Sequence, residues 1–543
     1  MPITMDDGIA LRADIYTPYR PDPHPTILVR SPYGRRGPYG LLLGRVFAER
    51  GYRVVVQSCR GTGGSEGAFH PYFDERADGL ATIRWIEQQV WFDGRLALNG
   101  PSYLGGVQWA VADDSGPVLR ALCTHVTFSN IARHWYAGGS FSLQDSVSWT
   151  SMVCRPGNVI QGVPGTFRRR TPWALRVATR RLPLTDLDRL VFGTAVPFWQ
   201  EFISHPAVED PFWAPINHSA RVAQVSAPVL QVSGWFDLFL PIQLDDHRAL
   251  VEAGTKVRLV VGPWTHTAAR GFATQVTESL RWLDRYVRDF QTSGDQETSV
   301  RLFVMGGGGW NDFESWPPTG YSPQHLFLHR GGTLTPKAPI SEGGETYRYD
   351  PRTPTPVIGG SLLGLGGGRK DQRRRERRSD VLVFTSDTLT GDIDVIGEVV
   401  AEIHVTCDIE DFDIFVRLCD VDRRGRSHNV CDGIERVSPI RSPRPSEGRW
   451  LVRVRLWPTA YRFRSGHHIR VQVSSGAHPR FARNLGTGDP LATGTRTRVA
   501  QLGVLLSPAN PSSLIVPVAN ASLNSLRTLA VGPARDHPAH SVA

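Results

Sequence analysis

The N-terminal part of the chain alternates apolar runs with amphipathic stretches. Up to about residue 125, strand-like runs such as Tyr52–Gln57 alternate with helix-like stretches such as Ala77–Gln89. The alternation stops over residues 126–225, which are rich in Trp, Phe, Pro and Arg, and it resumes from Val229 to about residue 320. We therefore predict an α/β core with a largely parallel sheet, built from residues 1–125 and 226–320 and interrupted by a helical insertion at 126–225.

The C-terminal part has a different texture. Beyond about residue 320, short runs of alternating polar and apolar positions are separated by turn residues, as in Glu398–Val405 and Trp450–Leu456. Repeated short strands of this kind predict a β-sandwich, which we assign to residues 321–523. The last stretch, 524–543, is polar and rich in small residues, and we predict that it is disordered.

Composition is that of an ordinary globular protein. The 543 residues are 40% hydrophobic and 21% charged, and the length exceeds that of a single typical core. No run approaches the roughly 20 apolar residues that a membrane helix needs. The first residues, Met1–Gly8, carry neither the basic nor the apolar region of a secretion signal. We expect a cytoplasmic protein with no membrane partner.

The charge balance is basic but unevenly distributed. The 61 Lys and Arg residues exceed the 52 Asp and Glu residues, which gives a formal net charge of +9. Much of the excess lies in two runs, Arg168–Arg170 and the segment 369–378. Such runs are typical of solvated loops, and no basic motif with interleaved aromatic residues accompanies them. We therefore expect no nucleic-acid partner.

The cysteines and histidines do not predict a metal site. The six cysteines form no C-x-x-C pair, and we expect reduced, mostly buried thiols. Cys123, two residues before His125, could be read as a thiol nucleophile, but a buried core cysteine is favoured. The pair His467–His468 lacks neighbouring ligands. We predict no metal and no cofactor.

Ser102 lies at the most informative point of the chain. The segment Leu96–Gly106 places this serine between a short apolar strand and a helix-like stretch, as a nucleophile elbow does. A sharp strand-to-helix turn exposes the serine oxygen and directs backbone N–H groups at the oxyanion that forms. The spacing is Gly-x-Ser-x-x-Gly-Gly instead of Gly-x-Ser-x-Gly, so the pattern alone leaves a purely structural turn open.

Two later strands each end in a candidate partner for Ser102. Asp237 follows the apolar run that begins at Val229, and His266 follows the run that begins at Val257. Reactive groups in open α/β sheets gather beyond the carboxyl ends of the strands. The order Ser, Asp, His is that of α/β-hydrolases. Asp237 alone could cap a helix and His266 alone could be a polar loop residue, but their joint placement favours a catalytic triad.

Ordered motifs along nearly the whole chain resemble the cocaine-esterase and X-prolyl dipeptidyl-peptidase group of serine hydrolases, the CocE/NonD hydrolases. The matching segments are Ser31-Pro32-Tyr33-Gly34, Cys59–Gly67, Gly100–Gly105, Trp135–Gly139, Gly234–Asp237, Gly262–His266 and Trp316–Pro318. The resemblance implies that residues 126–225 form the family's helical cap and that residues 321–523 form its jelly roll. It is specific for the family and not for a substrate.

The resemblance also implies the role of each residue. Ser102 is expected to be the nucleophile, His266 the general base and Asp237 the acid that orients the imidazole. The family uses a tyrosine hydroxyl as one oxyanion donor, and Tyr33 stands at the matching position. The backbone N–H of Tyr103 is the expected second donor. From the residues alone, Tyr33 could equally be an ordinary loop tyrosine.

Substrate choice follows less directly from the sequence. Aromatic residues of the insertion, together with one residue just past Asp237, would form an apolar pocket for a bulky acyl group, although each could instead belong to the cap's own core. These pocket candidates are Trp135, Tyr136, Phe141, Trp149, Trp173 and Phe239. Peptidases of this family need a carboxylate for the substrate's amino terminus, and neither Asp145 nor Glu201 is marked as facing the pocket.

We therefore expect a small-molecule ester substrate with a bulky or aromatic acyl group, cleaved through an acyl-enzyme. Cleavage of an amide, by an amidase, an acylase or an X-prolyl dipeptidyl-peptidase, is the alternative. A binding protein without turnover is a third reading, which the intact Ser102, Asp237 and His266 disfavour. The oligomeric state stays open, with a homodimer as one option.

Overall fold

The computed structural model describes residues 1–20, 23–37, 39–154, 177–290, 299–364, 366–442, 445 and 448–530. The chain divides into two units. The first unit comprises Met1–Tyr136, Ser142–Arg301 and Leu491–Thr493. The second unit comprises Ala137–Phe141, Leu302–Pro490 and the residues from Gly494 onward.

The first unit is built on a mostly parallel sheet. The first ten strands of the chain are β1 (Pro2–Thr4), β2 (Ala10–Tyr16), β3 (His24–Ser31), β4 (Arg53–Ser58), β5 (Phe92–Pro101), β6 (Leu119–His125), β7 (Tyr136–Ala137), β8 (Ser140–Phe141), β9 (Val229–Phe236) and β10 (Val257–Thr265). The sheet of the first unit has the order β1-β2-β4-β3-β5-β6-β9-β10, and β7 and β8 form a separate two-stranded sheet. All neighbours from β4 to β10 run parallel, whereas β1, β2 and β4 pair antiparallel.

Helices connect these strands, as the alternating pattern predicts. The α-helices described in the first unit are α1 (Val46–Ala48), α2 (Glu75–Glu87), α3 (Tyr103–Trp109), α4 (Ala132–Trp135), α5 (Leu143–Val153), α6 (Leu187–Phe192), α7 (Pro197–Ser204), α8 (Ser219–Val222), α9 (Leu240–Glu252) and α10 (Ala269–Tyr286). Buried residues of β3 to β6 pack with those of α2 and α3 in one apolar core. A parallel sheet covered on both faces explains why strands such as β3 are buried along their whole length.

The predicted helical insertion is present as short helices. Helices α4 to α8 fall within residues 126–225, and no strand of the main sheet does among the residues described there. The Trp and Phe side chains of α7 are buried, as is Trp213 in the 3-10 turn Pro211–Ile216. The aromatic composition that ended the α/β alternation therefore supplies this insertion with a core of its own.

The second unit is rich in β-strands, as its alternating pattern predicts. Its strands are β11 (Val300–Val304, entering from the first unit), β12 (Gly309–Phe313), β13 (Tyr321–His329), β14 (Thr333–Thr335), β15 (Gly344–Tyr349), β16 (Leu382–Thr385), β17 (Ile393–Gly397), β18 (Val400–Cys407), β19 (Phe412–Val421), β20 (Ser427–Val437), β21 (Arg449–Arg455), β22 (Thr459–Phe463), β23 (His468–Ser474), β24 (Ala500–Ser507), β25 (Asn510–Pro511) and β26 (Ser513–Ala519). Its main sheet has the path β15-β24-β18-β26-β13-β14-β16-β23-β19-β20 and is antiparallel except at β14 and β16. Inward and outward positions alternate along β18 and β21.

The start of the second unit lies before the boundary expected from the sequence. The second unit begins at Leu302, whereas the sequence interpretation began it at residue 321. The glycine-rich stretch near residue 306 is a turn between the neighbouring strands β11 and β12.

The beginning of the predicted disordered tail is helical. Helix α12 (Leu523–Arg527) continues into a 3-10 turn that ends at Ala530. Leu526 and Leu529 are buried, and their spacing of three places both on one helix face. The segment is mostly polar, so its composition did not indicate this apolar face. Residues 531–543 lie outside the described residues.

The arginine-rich segment 369–378 includes a short helix, α11 (Arg373–Glu376). Its charges are matched by acidic neighbours within the second unit: Arg373 pairs with Asp371 at 2.5 Å and Arg378 with Asp380 at 2.7 Å. Glu376, from the same segment, pairs with Arg470 at 2.7 Å. Among the residues described, no helix combines the length and apolar character needed to cross a bilayer.

Candidate active site

Ser102 occupies a sharp turn between β5 and α3. Its backbone has φ +60° and ψ −126°. Residues other than glycine rarely adopt this conformation, and functional sites retain it at a cost in conformational free energy. The turn is fixed from the end of β6, because the Ser102 N–H donates to the carbonyl of His125 at 2.8 Å and the Thr127 hydroxyl donates to the Ser102 carbonyl at 2.6 Å. This is the geometry of a nucleophile elbow.

Glycines allow the turn to pack so closely. A Cβ on Gly100 would lie 2.5 Å from the Cβ of Leu104, and a Cβ on Gly105 would lie 2.6 Å from the Thr127 side chain. The second contact explains the unusual spacing of the motif. Gly105, three residues after Ser102, is the glycine that packs against Thr127 in the loop after β6.

Asp237 and His266 leave the sheet side by side. Strands β9 and β10 are parallel neighbours, and their register places Phe236 opposite Thr265. The next residue of each strand is the candidate acid or base. Strands β5 and β6 end at the same edge, since Pro101 pairs with His125. Parallel pairing thus brings residues more than a hundred positions apart to one edge of the sheet.

The three side chains form a hydrogen-bonded relay. His266 Nε2 lies 3.0 Å from Ser102 Oγ, and His266 Nδ1 lies 2.6 Å from Asp237 Oδ2. The other carboxylate oxygen, Asp237 Oδ1, accepts the backbone N–H of Phe239 at 2.8 Å. Asp237 is fully buried, and the side chain of His266 is only 6% exposed. Such a relay can take a proton from the serine hydroxyl and stabilise the imidazolium that results.

Tyr33 lies beside this relay. Its hydroxyl lies near the Ser102 side chain and accepts the indole N–H of Trp149 at 3.0 Å. Burial raises the pKa of the Tyr33 phenol well above its ordinary value, so the hydroxyl keeps its proton. A neutral donor adjacent to the nucleophile can hold a developing oxyanion.

Tyr103 provides the first N–H of α3, directly after Ser102. Its side chain points into a buried network that the sequence interpretation did not include. The hydroxyl donates to Glu75 Oε1 at 2.6 Å and accepts the backbone N–H of Tyr72 at 3.0 Å. Glu75 in turn pairs with the buried Arg30 at 2.8 Å. The ring anchors the start of α3, which fixes the direction of the Tyr103 N–H.

Two of the pocket candidates are close to the relay. The ring of Phe239 lies 5.4 Å from that of His266, edge to face. Trp149 contacts Tyr33 through its hydrogen bond and stacks on Tyr103 with ring centroids 6.3 Å apart. Trp135 lies one ring further away, 6.1 Å from Trp149.

The other three candidates are placed differently. Tyr136 is buried and donates its hydroxyl to the carbonyl of Phe202 at 2.6 Å, which holds the insertion together. Phe141 is buried and belongs to the second unit. Trp173 lies outside the described residues.

Several aromatic residues near the relay were missed. Phe128 lies 4.6 Å from Phe239, Phe198 lies 5.6 Å from Trp149, and the imidazole of His134 lies 4.8 Å from Phe239. Tyr72, whose φ is +75°, stacks on Tyr103 at 4.6 Å. A positive φ at a tyrosine has no sequence signature, so local patterns could not have identified this residue.

The remaining nucleophile and base candidates near β6 are disfavoured by burial. Burial raises the pKa of the Cys123 thiol to about 12 and lowers the pKa of His125 to about 3. The thiol therefore stays protonated, and His125 is a poor proton acceptor. Among the described residues, no group of three or more His, Cys, Asp or Glu side chains is arranged to hold a metal ion.

Comparison with known proteins finds similarity over most of the chain. Residues 7–268 match the model of the X-Pro dipeptidyl-peptidase (S15 family), and residues 293–515 match that of the X-Pro dipeptidyl-peptidase C-terminal non-catalytic domain. The chain is 31% identical to the cocaine esterase of Rhodococcus sp. (strain MB1 Bresler), over 95% of this chain and 97% of that protein.

Two solved structures share the fold. An α-amino acid ester hydrolase superposes with a TM-score of 0.80 at 22% identity, covering 95% of this chain and 96% of its own. An aminopeptidase from a marine sediment Thaumarchaeota archaeon superposes with a TM-score of 0.81 at 21% identity, covering 95% of each chain. With the elbow and the two strand-end residues already in place, these matches lead to one assignment: the chain belongs to the cocaine esterase and X-Pro dipeptidyl-peptidase family of serine hydrolases.

Proposed function

We propose that this protein hydrolyses carboxylic esters with a bulky or aromatic acyl group, using Ser102 as the nucleophile. The observation that carries the proposal is the continuous relay from Ser102 Oγ through His266 to Asp237, at 3.0 and 2.6 Å. A hydroxyl that donates to an imidazole whose other nitrogen is held by a buried carboxylate is an activated nucleophile.

Acylation begins when Ser102 Oγ attacks the ester carbonyl carbon while His266 Nε2 takes its proton. The carbonyl oxygen becomes an oxyanion, which the Tyr33 hydroxyl and the Tyr103 N–H stabilise. The tetrahedral intermediate then collapses, the bond to the alcohol oxygen breaks, and His266 returns the proton to that oxygen. Asp237 holds the imidazole in the required tautomer and stabilises its charged form.

Deacylation repeats the sequence with water. His266 takes a proton from the water as its oxygen attacks the acyl-enzyme. The second intermediate collapses by breaking the bond to Ser102 Oγ, which regains its proton from His266. The carboxylic acid leaves, and the enzyme is restored.

The aromatic neighbours support an apolar acyl group. Phe239, Trp149 and Trp135 provide faces and edges against which a phenyl ring can pack. The two carboxylates that the sequence interpretation weighed as amine ligands each have a histidine partner. Asp145 is buried 3.8 Å from His134 of the cap, and Glu201 pairs with His70 of the α/β core at 2.8 Å.

Amide cleavage is the second candidate, because the family model that matches the catalytic unit is named for an X-Pro dipeptidyl-peptidase. The same relay would serve an amide, since His266 can protonate a leaving amine as well as an alcohol. What separates the two functions is recognition of the substrate's amino terminus.

A matched substrate panel tests the proposal. We would compare aryl esters of benzoic and acetic acid with aminoacyl and X-prolyl anilides that release a comparable leaving group. The proposal expects the benzoate to give the highest kcat/KM, with all turnover lost in Ser102→Ala. A higher kcat/KM for an X-prolyl anilide would replace ester hydrolysis with the peptidase function. Turnover that persists in Ser102→Ala would remove Ser102 from the mechanism.

A further inference from the structure

Two sets of hydrogen bonds lie next to each other at the nucleophile, one from the cap helix α5 to Tyr33 and one from Ser102 to the catalytic acid. Trp149 Nε1 lies 3.0 Å from the Tyr33 oxygen, and the Tyr33 hydroxyl lies near the Ser102 side chain. Ser102 Oγ lies 3.0 Å from His266, which lies 2.6 Å from Asp237. Five side chains from five separate elements or loops are thus brought together around the nucleophile.

The donor in each of these hydrogen bonds follows from the chemistry of the two outermost groups, Trp149 and Asp237. An indole nitrogen only donates, and a carboxylate only accepts. Because Asp237 accepts from Nδ1 of His266, Nε2 is the acceptor, and Ser102 must donate to it. The Tyr33 oxygen receives the N–H of Trp149, so the proton of Tyr33 points away from the indole.

We propose that Trp149 is a positioning residue for the oxyanion hole: its indole N–H occupies the acceptor side of the Tyr33 hydroxyl and thereby directs the Tyr33 proton toward the reaction centre. This inference rests on the proposed function of Tyr33. A phenolic proton prefers the plane of its ring and so has two main orientations. The Trp149 hydrogen bond leaves the orientation toward Ser102, which is also where the substrate's oxyanion forms.

The surroundings of Tyr33 suit such an aid. The residue is partly buried, and burial raises its pKa, so the hydroxyl keeps a proton that can be directed. Donation from the indole also polarises the phenol, because hydrogen bonds in series strengthen one another. Trp149 is itself held by ring contacts with Tyr72, Tyr103 and Phe198 at 5.9, 6.3 and 5.6 Å.

A packing role for Trp149 predicts something different. If its ring only contacts the acyl group, a change at Trp149 affects bulky acyl groups and leaves an acetyl ester nearly unaffected. If the N–H acts through Tyr33, the same fold-change in kcat appears for both esters. The two roles are therefore separable by measuring phenyl acetate and phenyl benzoate side by side.

The test is a double-mutant cycle of Trp149→Phe and Tyr33→Phe. A net neutral hydrogen bond corresponds to roughly a five- to tenfold effect, so we expect Trp149→Phe to lower kcat by about that factor for both esters with KM little changed. In the Tyr33→Phe background, Trp149→Phe should lower kcat by less than about twofold, because the hydroxyl that accepts the indole N–H is absent. Incorporation of 3-benzothienylalanine at position 149, which replaces the N–H by sulfur and keeps the ring shape, should reproduce the loss.

The matched control is Trp213→Phe, which deletes another cap indole whose N–H donates to the carbonyl of His205 at 3.0 Å. It should leave kcat unchanged. Equal losses from Trp149→Phe in both backgrounds, or a loss confined to the benzoate, would overturn the positioning role. If Tyr33→Phe itself has no effect, the proposed oxyanion function fails first, so the two failures are distinguishable. Should Trp149→Phe not fold, the benzothienyl variant alone decides the outcome.

Discussion

The hydroxyl of Tyr33 separates this site from hydrolase sites whose oxyanion is held by backbone groups alone. Its contacts with Ser102 and Trp149 place it next to the nucleophile in a protonated, uncharged form. Tyrosines in a loop after a strand are common. What distinguishes Tyr33 in the structure is its hydrogen bond with Trp149, which lies 116 positions later in the chain. Sequence reasoning found it through resemblance to a family and could not have found it by pattern.

Replacement of Tyr33 by phenylalanine removes only the oxygen. Loss of one oxyanion donor typically costs about 2.7–4 kcal/mol, or roughly 10²–10³ in kcat. We expect a loss of this size with KM nearly unchanged, because the contact is made mainly in the transition state. Steady-state kinetics with a single aryl ester measures it. Tyr39→Phe is the control, since that ring stacks on Tyr33 at 5.4 Å and is outside the relay. A Tyr33→Phe rate within about threefold of wild type would make Tyr33 a mere loop residue.

At the scale of elements, the site is a consequence of parallel strand pairing. Ser102, Asp237 and His266 each follow the carboxyl end of a strand, and strand ends can be read from apolar runs and the residues that stop them. The network that supports Tyr103 could not be read in this way. Glu75 begins α2 and Arg30 lies within β3, and nothing local to either segment indicates that they meet.

Helix α9 carries a carboxyl group with an unusual environment. Asp246 is buried, accepts the Ser129 hydroxyl at 2.5 Å, and burial raises its pKa to about 7. An acid whose pKa is higher in the folded state than in the unfolded state favours folding at low pH, and this advantage is lost as pH rises through the folded pKa. We therefore expect stability to fall between about pH 4 and pH 7 because of this one group.

Thermal unfolding of wild type and Asp246→Asn from pH 4 to pH 8 measures this effect. The two midpoints should be similar near pH 4, and the variant should become the more stable protein above pH 7. A pKa change from 3.8 to about 7 corresponds to ~4 kcal/mol at most. Asp245→Asn is the control on the same helix, since that side chain is 30% exposed and paired with Arg133. Parallel curves for wild type and Asp246→Asn would show that Asp246 is ionised equally in both states.

At the scale of the whole molecule, the change in hydrophobic pattern along the chain correctly predicted an α/β first unit and a β-rich second unit. Periods of apolar residues report which faces are buried, and this depends on each segment alone. The limits of the units are less local. The turn near residue 306 has the composition of a linker, and the helix at Leu523–Arg527 has the composition of a loose tail. The structure that each of these two segments adopts depends on which neighbours bury its few apolar side chains. The composition of a segment does not identify those neighbours.

Every residue of the proposed relay lies in the first unit, which gives the account a direct test. A fluorophosphonate reacts quickly only with a serine whose hydroxyl is activated, and it leaves a stable phosphonyl adduct. We expect the intact wild-type chain to gain the mass of one adduct, and peptide mapping to place it on Ser102. Ser102→Ala should gain none, and His266→Gln should react at least a hundredfold more slowly because the base is absent. An adduct on another residue, or folded wild-type protein that gains no mass, would contradict the assignment of Ser102 as the activated nucleophile.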